Sequence, residues 1–152
     1  MNSRGNVLKR IEAVYGLVEL IHSTALRQAS VLVDEVERAI DEQRIQSALV
    51  AQDARAALAS GDRQGWVITE VQRAWSCGRG SQLQVLRLER EIVSNLARDE
   101  YRASRLRSEQ VKTVVQRNDA AEVLVAGRRT QAVADDRFLS RLYLKPRKPD
   151  GG

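Results

Sequence analysis

Leu8, Tyr15, His22, Ala29 and Val36 recur seven residues apart, and Ile11, Val18, Ala25, Leu32 and Ala39 form a second seven-residue series offset by three. Two interlocked series of this kind are the a/d seam of a coiled coil, sustained here for about four to five heptads. After Ala39 the next seam places fall on Gln43 and Gln46. A break in register is expected there, with Ile45, Leu49 and the alanine-rich stretch 48–59 carrying the helix on behind a smaller stripe. A second stripe runs Val85, Leu88, Ile92, Leu96, Ala103, Leu106, Gln110, Val114, Ala121 and Leu124 in steps of three, four or seven. Ala132, Leu139 and Leu142 extend it towards Tyr143.

Punctuation agrees with the periodicity. The only prolines are Pro146 and Pro149, so neither Asn6 to Ser60 nor Gln82 to Ala126 meets a strong helix breaker. At 1.5 Å per residue, helices of such length reach on the order of 65–85 Å, far beyond the ~12-residue average. Ser60-Gly61-Asp62 stops the first helix, and Ser76-Cys77-Gly78-Arg79-Gly80-Ser81 reads as a flexible loop. Between them Gln64 to Trp75 forms a short helix, and Ser81 is the expected N-cap of the second long one. The prediction is an all-α fold, a long antiparallel two-helix coiled-coil hairpin with a short helical or loop tip: helix 6–60, tip 61–81, helix 82–143. Residues 1–145 make a single domain and 146–152 a disordered basic tail, since Pro146 disfavours helix at Lys145.

Composition supports a narrow seam over a globular core. Aromatic residues make 4% of the chain and charged residues 30%, so the apolar content is aliphatic and spread along the length. The net charge of +5 comes mostly from arginine. Arg is interleaved with acid at helical spacing, as in Glu35, Glu37, Arg38, Asp41, Glu42 and Arg44, which reads as a solvated face before it reads as a nucleic-acid footprint. The denser patch Arg98, Arg102, Arg105 and Arg107 is mixed with Asp99, Glu100 and Glu109 and lacks an aromatic platform for bases. Nucleic acid is therefore not the expected partner. One cysteine, Cys77, excludes an internal disulfide and fits a reducing compartment. With no apolar run near ~18 residues and no signal-peptide core in Met1 to Arg10, the expectation is a cytoplasmic protein with no membrane insertion.

No catalytic constellation emerges. His22 has no second histidine or nearby cysteine with which to hold a metal, and the seam accounts for it. Cys77, Ser76 and Ser81 flank a glycine pair without a convergent base. Ala126-Gly127-Arg128-Arg129-Thr130 lacks the Lys-Ser/Thr ending of a phosphate loop. The expectation is a protein that is not an enzyme, with no cofactor and no metal. Trp66 and Trp75 are the large rings of an aromatic-poor chain, placed to cap the open end of the coil or to anchor a partner.

The closing segment carries a resemblance. Arg128-Arg129-Thr130-Gln131-Ala132-Val133-Ala134-Asp135-Asp136-Arg137-Phe138-Leu139-Ser140-Arg141 looks like the C-terminal pattern of the flagellar export protein FliJ and the SctO (YscO-like) stalk proteins of type III secretion, at Arg128, Gln131, Asp135, Asp136, Phe138 and Arg141. Trp66 resembles a tryptophan that some members carry in the tip. The resemblance implies a central stalk whose paired helix ends enter the hexamer of the export ATPase while the tip reaches towards the export gate protein, with export chaperones as further partners. It implies an ATPase contact at Arg128, Arg129, Gln131, Asp135, Asp136 and Arg141, with Lys9 and Arg10 opposite them, and a gate contact at Trp66 and Trp75. It also implies a location peripheral to the inner-membrane export apparatus, flagellar or virulence-associated. Two other classes fit the same residues: a general coiled-coil adaptor or scaffold, which predicts stable self-association, and an Arg-rich nucleic-acid-binding hairpin, whose affinity would fall steeply with salt.

Overall fold

The computed structural model describes residues 3–144. They form two helices, α1 (Ser3–Ser60) and α2 (Arg63–Leu144), with no strand among the described residues. The chain reverses over Gly61 and Asp62 and the helices pack antiparallel, so the all-α helical hairpin is what the sequence pattern anticipates. The expected tail at 146–152 lies outside the described residues.

The reversal is far tighter than a tip over 61–81. Gly61 has φ of +75°. Its amide donates to the Leu58 carbonyl at 3.3 Å, and the Asp62 amide donates to the Ala57 carbonyl at 2.9 Å. These paired bonds are a Schellman stop, with glycine in the left-handed region where other side chains are strained. Asp62 starts the next helix in the same stroke. Its Oδ1 accepts from the Gly65 amide at 3.0 Å and its carbonyl accepts from the Trp66 amide at 3.0 Å, which makes Asp62 the N-cap.

Helix α2 then runs unbroken through 76–81, where the sequence reading expects a loop. Ser81 is not a cap: its hydroxyl donates to the Cys77 carbonyl at 3.2 Å inside the helix. Gly78 and Gly80 each cost about 1 kcal/mol in a helix interior. That cost is smaller than the cost of interrupting the hydrogen-bond ladder beside a packed partner helix, so local glycine content loses to tertiary continuity.

Two compact units divide the hairpin, one from Leu17–Leu106 and the other from Met1–Gly16 with Arg107–Gly152. In the first, the least exposed positions of α1 are Glu19, His22, Leu26, Ala29, Val33, Val36, Ile40, Gln43, Ser47, Val50, Ala54 and Ala57, alternating in steps of three and four. Those of α2 keep the same rhythm from Gly80 through Leu83, Arg87, Arg90, Ser94, Ala97 and Tyr101 to Ser104. In the second unit Gly5, Leu8, Glu12 and Tyr15 belong to the seam of α1, and Ser108, Val111, Val115, Asn118 and Glu122 to that of α2.

One predicted seam series is therefore correct and the other is displaced by one residue. The series through Leu8, Tyr15, His22, Ala29 and Val36 does face α2, and Gln43 continues it without a break. Seam places of that series lie at Glu12, Glu19, Leu26, Val33 and Ile40; of the predicted members Ile11, Val18 and Ala25 are exposed, while Leu32 and Ala39 are half-buried beside the seam. On α2 the whole expected stripe from Val85 to Leu124 is exposed. Small side chains such as Ala29, Ser94, Ala97, Ser104 and Ser108 occupy the buried seam places, and Val85, Ile92, Leu96 and Leu106 stay outside it.

Replacing Gly61 by Ala is expected to cost about 1–2 kcal/mol, because nothing within 4 Å would obstruct the added Cβ and the penalty is that of the left-handed backbone alone. Asp62→Ala should cost about 1 kcal/mol through the lost cap. Thermal melts of the two single variants check both values, and an unchanged melting temperature for Gly61→Ala would contradict the stop described here.

Candidate interaction surfaces

Within Leu17–Leu106, where Gln43 occupies a seam place, a polar cluster replaces aliphatic packing. The Gln43 amide Nε2 donates to the Ser76 carbonyl at 2.9 Å and also reaches the Ser76 and Ser47 hydroxyls. Ser47 and Ser76 share a further bond of 2.6 Å between their hydroxyls. A buried amide needs such partners to offset its desolvation, and satisfying them fixes which residues face each other across the seam. Sequence reasoning reads Gln43 as a break because a lone glutamine shows no partner in its own neighbourhood, and Ser76 is 33 residues away.

Grooves flank this cluster on both sides. Gln46, Leu49 and Asp53 of α1 and Gln72, Trp75 and Arg79 of α2 line an open groove of about 1170 Å³. Arg44 and Ser47 with Cys77, Ser81 and Gln84 line a smaller one of about 440 Å³. Leu49, Val71 and Trp75 stand among polar residues in the larger groove, and Ile40 and Leu83 do so in the smaller one.

The two tryptophans part company. Trp66 sits in the first turn of α2 at 38% exposure, one seam step before the buried Thr69. Trp75 stands on the wall of the larger groove with 79% of its surface exposed. Trp66 is thus about half as exposed as Trp75 and lies nearer the reversal.

In the unit formed from both chain ends, Lys9 Nζ lies 3.6 Å from Asp119 Oδ2. Gly5 packs where an added Cβ would meet Glu122 Oε1 at 3.2 Å, so the start of α1 reaches only to about residue 122 of α2. Every residue from 123 to 144 is exposed. Lys9 and Arg10 are consequently not opposite Arg128–Arg141, as the sequence reading has them. Arg128, Arg129, Gln131, Asp135, Asp136 and Arg141 lie instead on a single helix beyond the seam. Arg128, Gln131, Asp135 and Phe138 follow one another in steps of three, four and three, and therefore share one face of it. Val123, Leu124, Phe138, Leu142, Tyr143 and Leu144 leave this segment with an apolar content that no described residue covers.

No family model, curated protein or solved structure matches this chain. His22 Nδ1 is 3.7 Å from Glu100 Oε2 across the seam. No group of three metal-ligating side chains occurs among the described residues, and no described helix is long and apolar enough to cross a membrane. Cys77 is exposed and free. Arg98, Arg102 and Arg107 stay on the solvent side of α2, Arg102 lying 3.9 Å from Asp99. The bridges Arg87–Glu37 and Arg87–Glu91, at 3.5 and 3.0 Å, join groups more than a third open to water, each worth at most about 1 kcal/mol.

Proposed function

We propose that the protein is a non-enzymatic central stalk of a type III protein export apparatus, flagellar or virulence-associated, which inserts into the export ATPase hexamer and links it to the export gate. The observation that carries the reading is the exposed segment 123–144 of α2. It holds the residues of the export-stalk pattern on a stretch of helix that no other described residue covers, while Lys9 pairs with Asp119 before it. A single helix of mixed Arg, Asp and aliphatic residues is a suitable plug for a pore. Its apolar side chains supply contact area, and its exposed charges make polar contacts that exchange at low cost as a ring changes state. The hairpin supplies stiffness, and Trp75 is the anchor offered to the gate. In this reading export chaperones are further partners, nucleic acid is not one, and the protein sits peripheral to the inner-membrane export apparatus.

The test is a charge reversal at Arg128 and Arg141 together. Both are exposed, so helicity is expected to stay unchanged, while affinity for the cognate export ATPase falls about tenfold or more and stimulation of its hydrolysis is lost. Undiminished stimulation by the double variant would refute the contact. A coiled-coil adaptor is the second reading, favoured by the exposed aliphatics of the hairpin. It predicts no ATPase contact, even for the unaltered chain.

A further inference from the structure

We propose that α2 carries a latent break at 77–81, a hinge where the helix opens by one turn while the hairpin stays closed on either side. The inference does not depend on the export reading. Gly78 and Gly80 lie inside the helix, and neither has a positive φ. A Cβ built on either would meet nothing within 4 Å. Neither close packing nor a left-handed backbone therefore calls for glycine here, and alanine would make the better helix. A second conformation, with one glycine left-handed, accounts for the residue type.

The reversal at Gly61 and Asp62 shows the form such a break takes, a stop glycine followed by an N-cap residue. Gly78-Arg79-Gly80-Ser81 contains the same two signals in the same order. Gln84, three residues after Ser81, completes the pattern of a capping box. With Gly78 left-handed as Gly61 is, the Gly78 amide would donate to the Trp75 carbonyl and the Arg79 amide to the Ala74 carbonyl. The carbonyls orphaned at that helix end are those of Ser76 and Cys77. In the continuous helix they accept from the Gly80 and Ser81 amides. Both already have a second donor: Gln43 Nε2 reaches the Ser76 carbonyl at 2.9 Å, and the Ser81 hydroxyl reaches the Cys77 carbonyl at 3.2 Å. Opening the turn thus leaves neither carbonyl without a partner, which removes much of the usual cost of breaking a helix. A hydroxyl donates one bond while accepting others, so Ser81 can serve Cys77 and cap the following helix together.

Space for the displaced turn is open on both flanks. Gly78 and Arg79 lie on the larger groove, and Cys77, Gly80 and Ser81 on the smaller one. On α1 the chain has no glycine between Gly16 and Gly61, so this helix spans the hinge unbroken and keeps the hairpin joined. Opening frees the amides of Gly80, Ser81 and Gln82. It also changes the direction of the segment before the stop, whose last turn carries Trp75.

Amide hydrogen exchange of the full chain, read as protection factors, tests this. The amides of Gly80, Ser81 and Gln82 are expected to be at least about tenfold less protected than those of Ser94 and Ala97, yet at least about tenfold more protected than in an unfolded chain. Gly78→Ala and Gly80→Ala gain the same helix propensity, about fivefold in an equilibrium constant. Only position 78 turns left-handed in the open form, where alanine costs about a further fivefold or more. Gly80→Ala should therefore slow exchange at Ser81 and Gln82 about fivefold, and Gly78→Ala at least about twenty-five-fold. Protection at Gly80, Ser81 and Gln82 equal to that at Ser94 and Ala97 would overturn the hinge. Complete lack of protection there would overturn it too, because the break would then be permanent. Equal slowing by the two alanine variants, or none, would remove the stop at Gly78 and the proposal with it.

Discussion

Trp75→Ala is expected to leave the melting temperature almost unchanged and to weaken the proposed gate contact by more than about 2 kcal/mol, roughly thirtyfold. At 79% exposure the ring contributes little to the fold, and exposed substitutions usually stay within ~0.5 kcal/mol. The same exposure on the wall of a groove is what a binding anchor requires, and tryptophan is enriched among residues whose truncation costs most. Trp66→Ala should behave in the opposite way. Its ring is 38% exposed at the end of the seam, so its loss removes a large part of the ~3–5 kcal/mol measured for truncating a buried aromatic. A fall of roughly 5–10 °C in melting temperature is expected, with binding retained wherever the hairpin remains folded. Melts and gate-binding isotherms on the same two variants decide the matter. A destabilised Trp75→Ala with intact binding would sink the anchor.

Ser104→Ala and Ser108→Ala are each expected to stabilise the protein, which few core substitutions do. Ser104 and Ser108 are 5% and 1% exposed, and neither hydroxyl has a hydrogen-bond partner. A buried hydroxyl left unpaired costs about 1–3 kcal/mol, and alanine is also the better helix former by a few tenths. The two changes together should raise the melting temperature by roughly 5–15 °C. Ser108→Val tests the packing side of the argument: it removes the same hydroxyl but adds volume at a site with almost no exposure, and overpacking should cancel the gain. If both alanine variants melt lower than the unaltered chain, the hydroxyls are not a liability and the seam is held by something other than close packing of small residues.

Serine at these places has a bearing on how the chain is read. To a pattern search Ser94, Ser104 and Ser108 are polar and belong outside, whereas Val85, Ile92 and Leu106 are apolar and belong inside. The structure has them reversed. Hydropathy registers what a side chain would gain by leaving water, but it carries no information on which neighbour removes the water. In a hairpin with several contact faces, size complementarity at the closest approach competes with apolar content.

The segment 123–144 was legible in part. Its helix, its charges and the resemblance to export stalks are all sequence properties, and the helix runs to Leu144, the last described residue. Its lack of a partner among the described residues was not legible, because the position of the reversal sets how far α1 reaches along α2. A turn at Gly61 and Asp62, in place of a tip over 61–81, brings Gly5 beside Glu122 and leaves the rest of α2 uncovered. Lys9 and Arg10 lost their expected neighbours for the same reason.

What the sequence by itself determined about this protein is therefore what depends on contacts near in the chain: helix type, the stop at Gly61 and the first seam series. Capping, helix propensity and the seven-residue repeat act within a few turns, so one strand of text contains both partners of each interaction. Only the tertiary structure decided the continuity of α2 through Gly78 and Gly80, the pairing of Gln43 with Ser76, and which of two competing stripes faces the neighbouring helix. Each depends on a residue dozens of places away, whose distance across the seam is set by where the chain turns and how closely its small side chains let the helices pack.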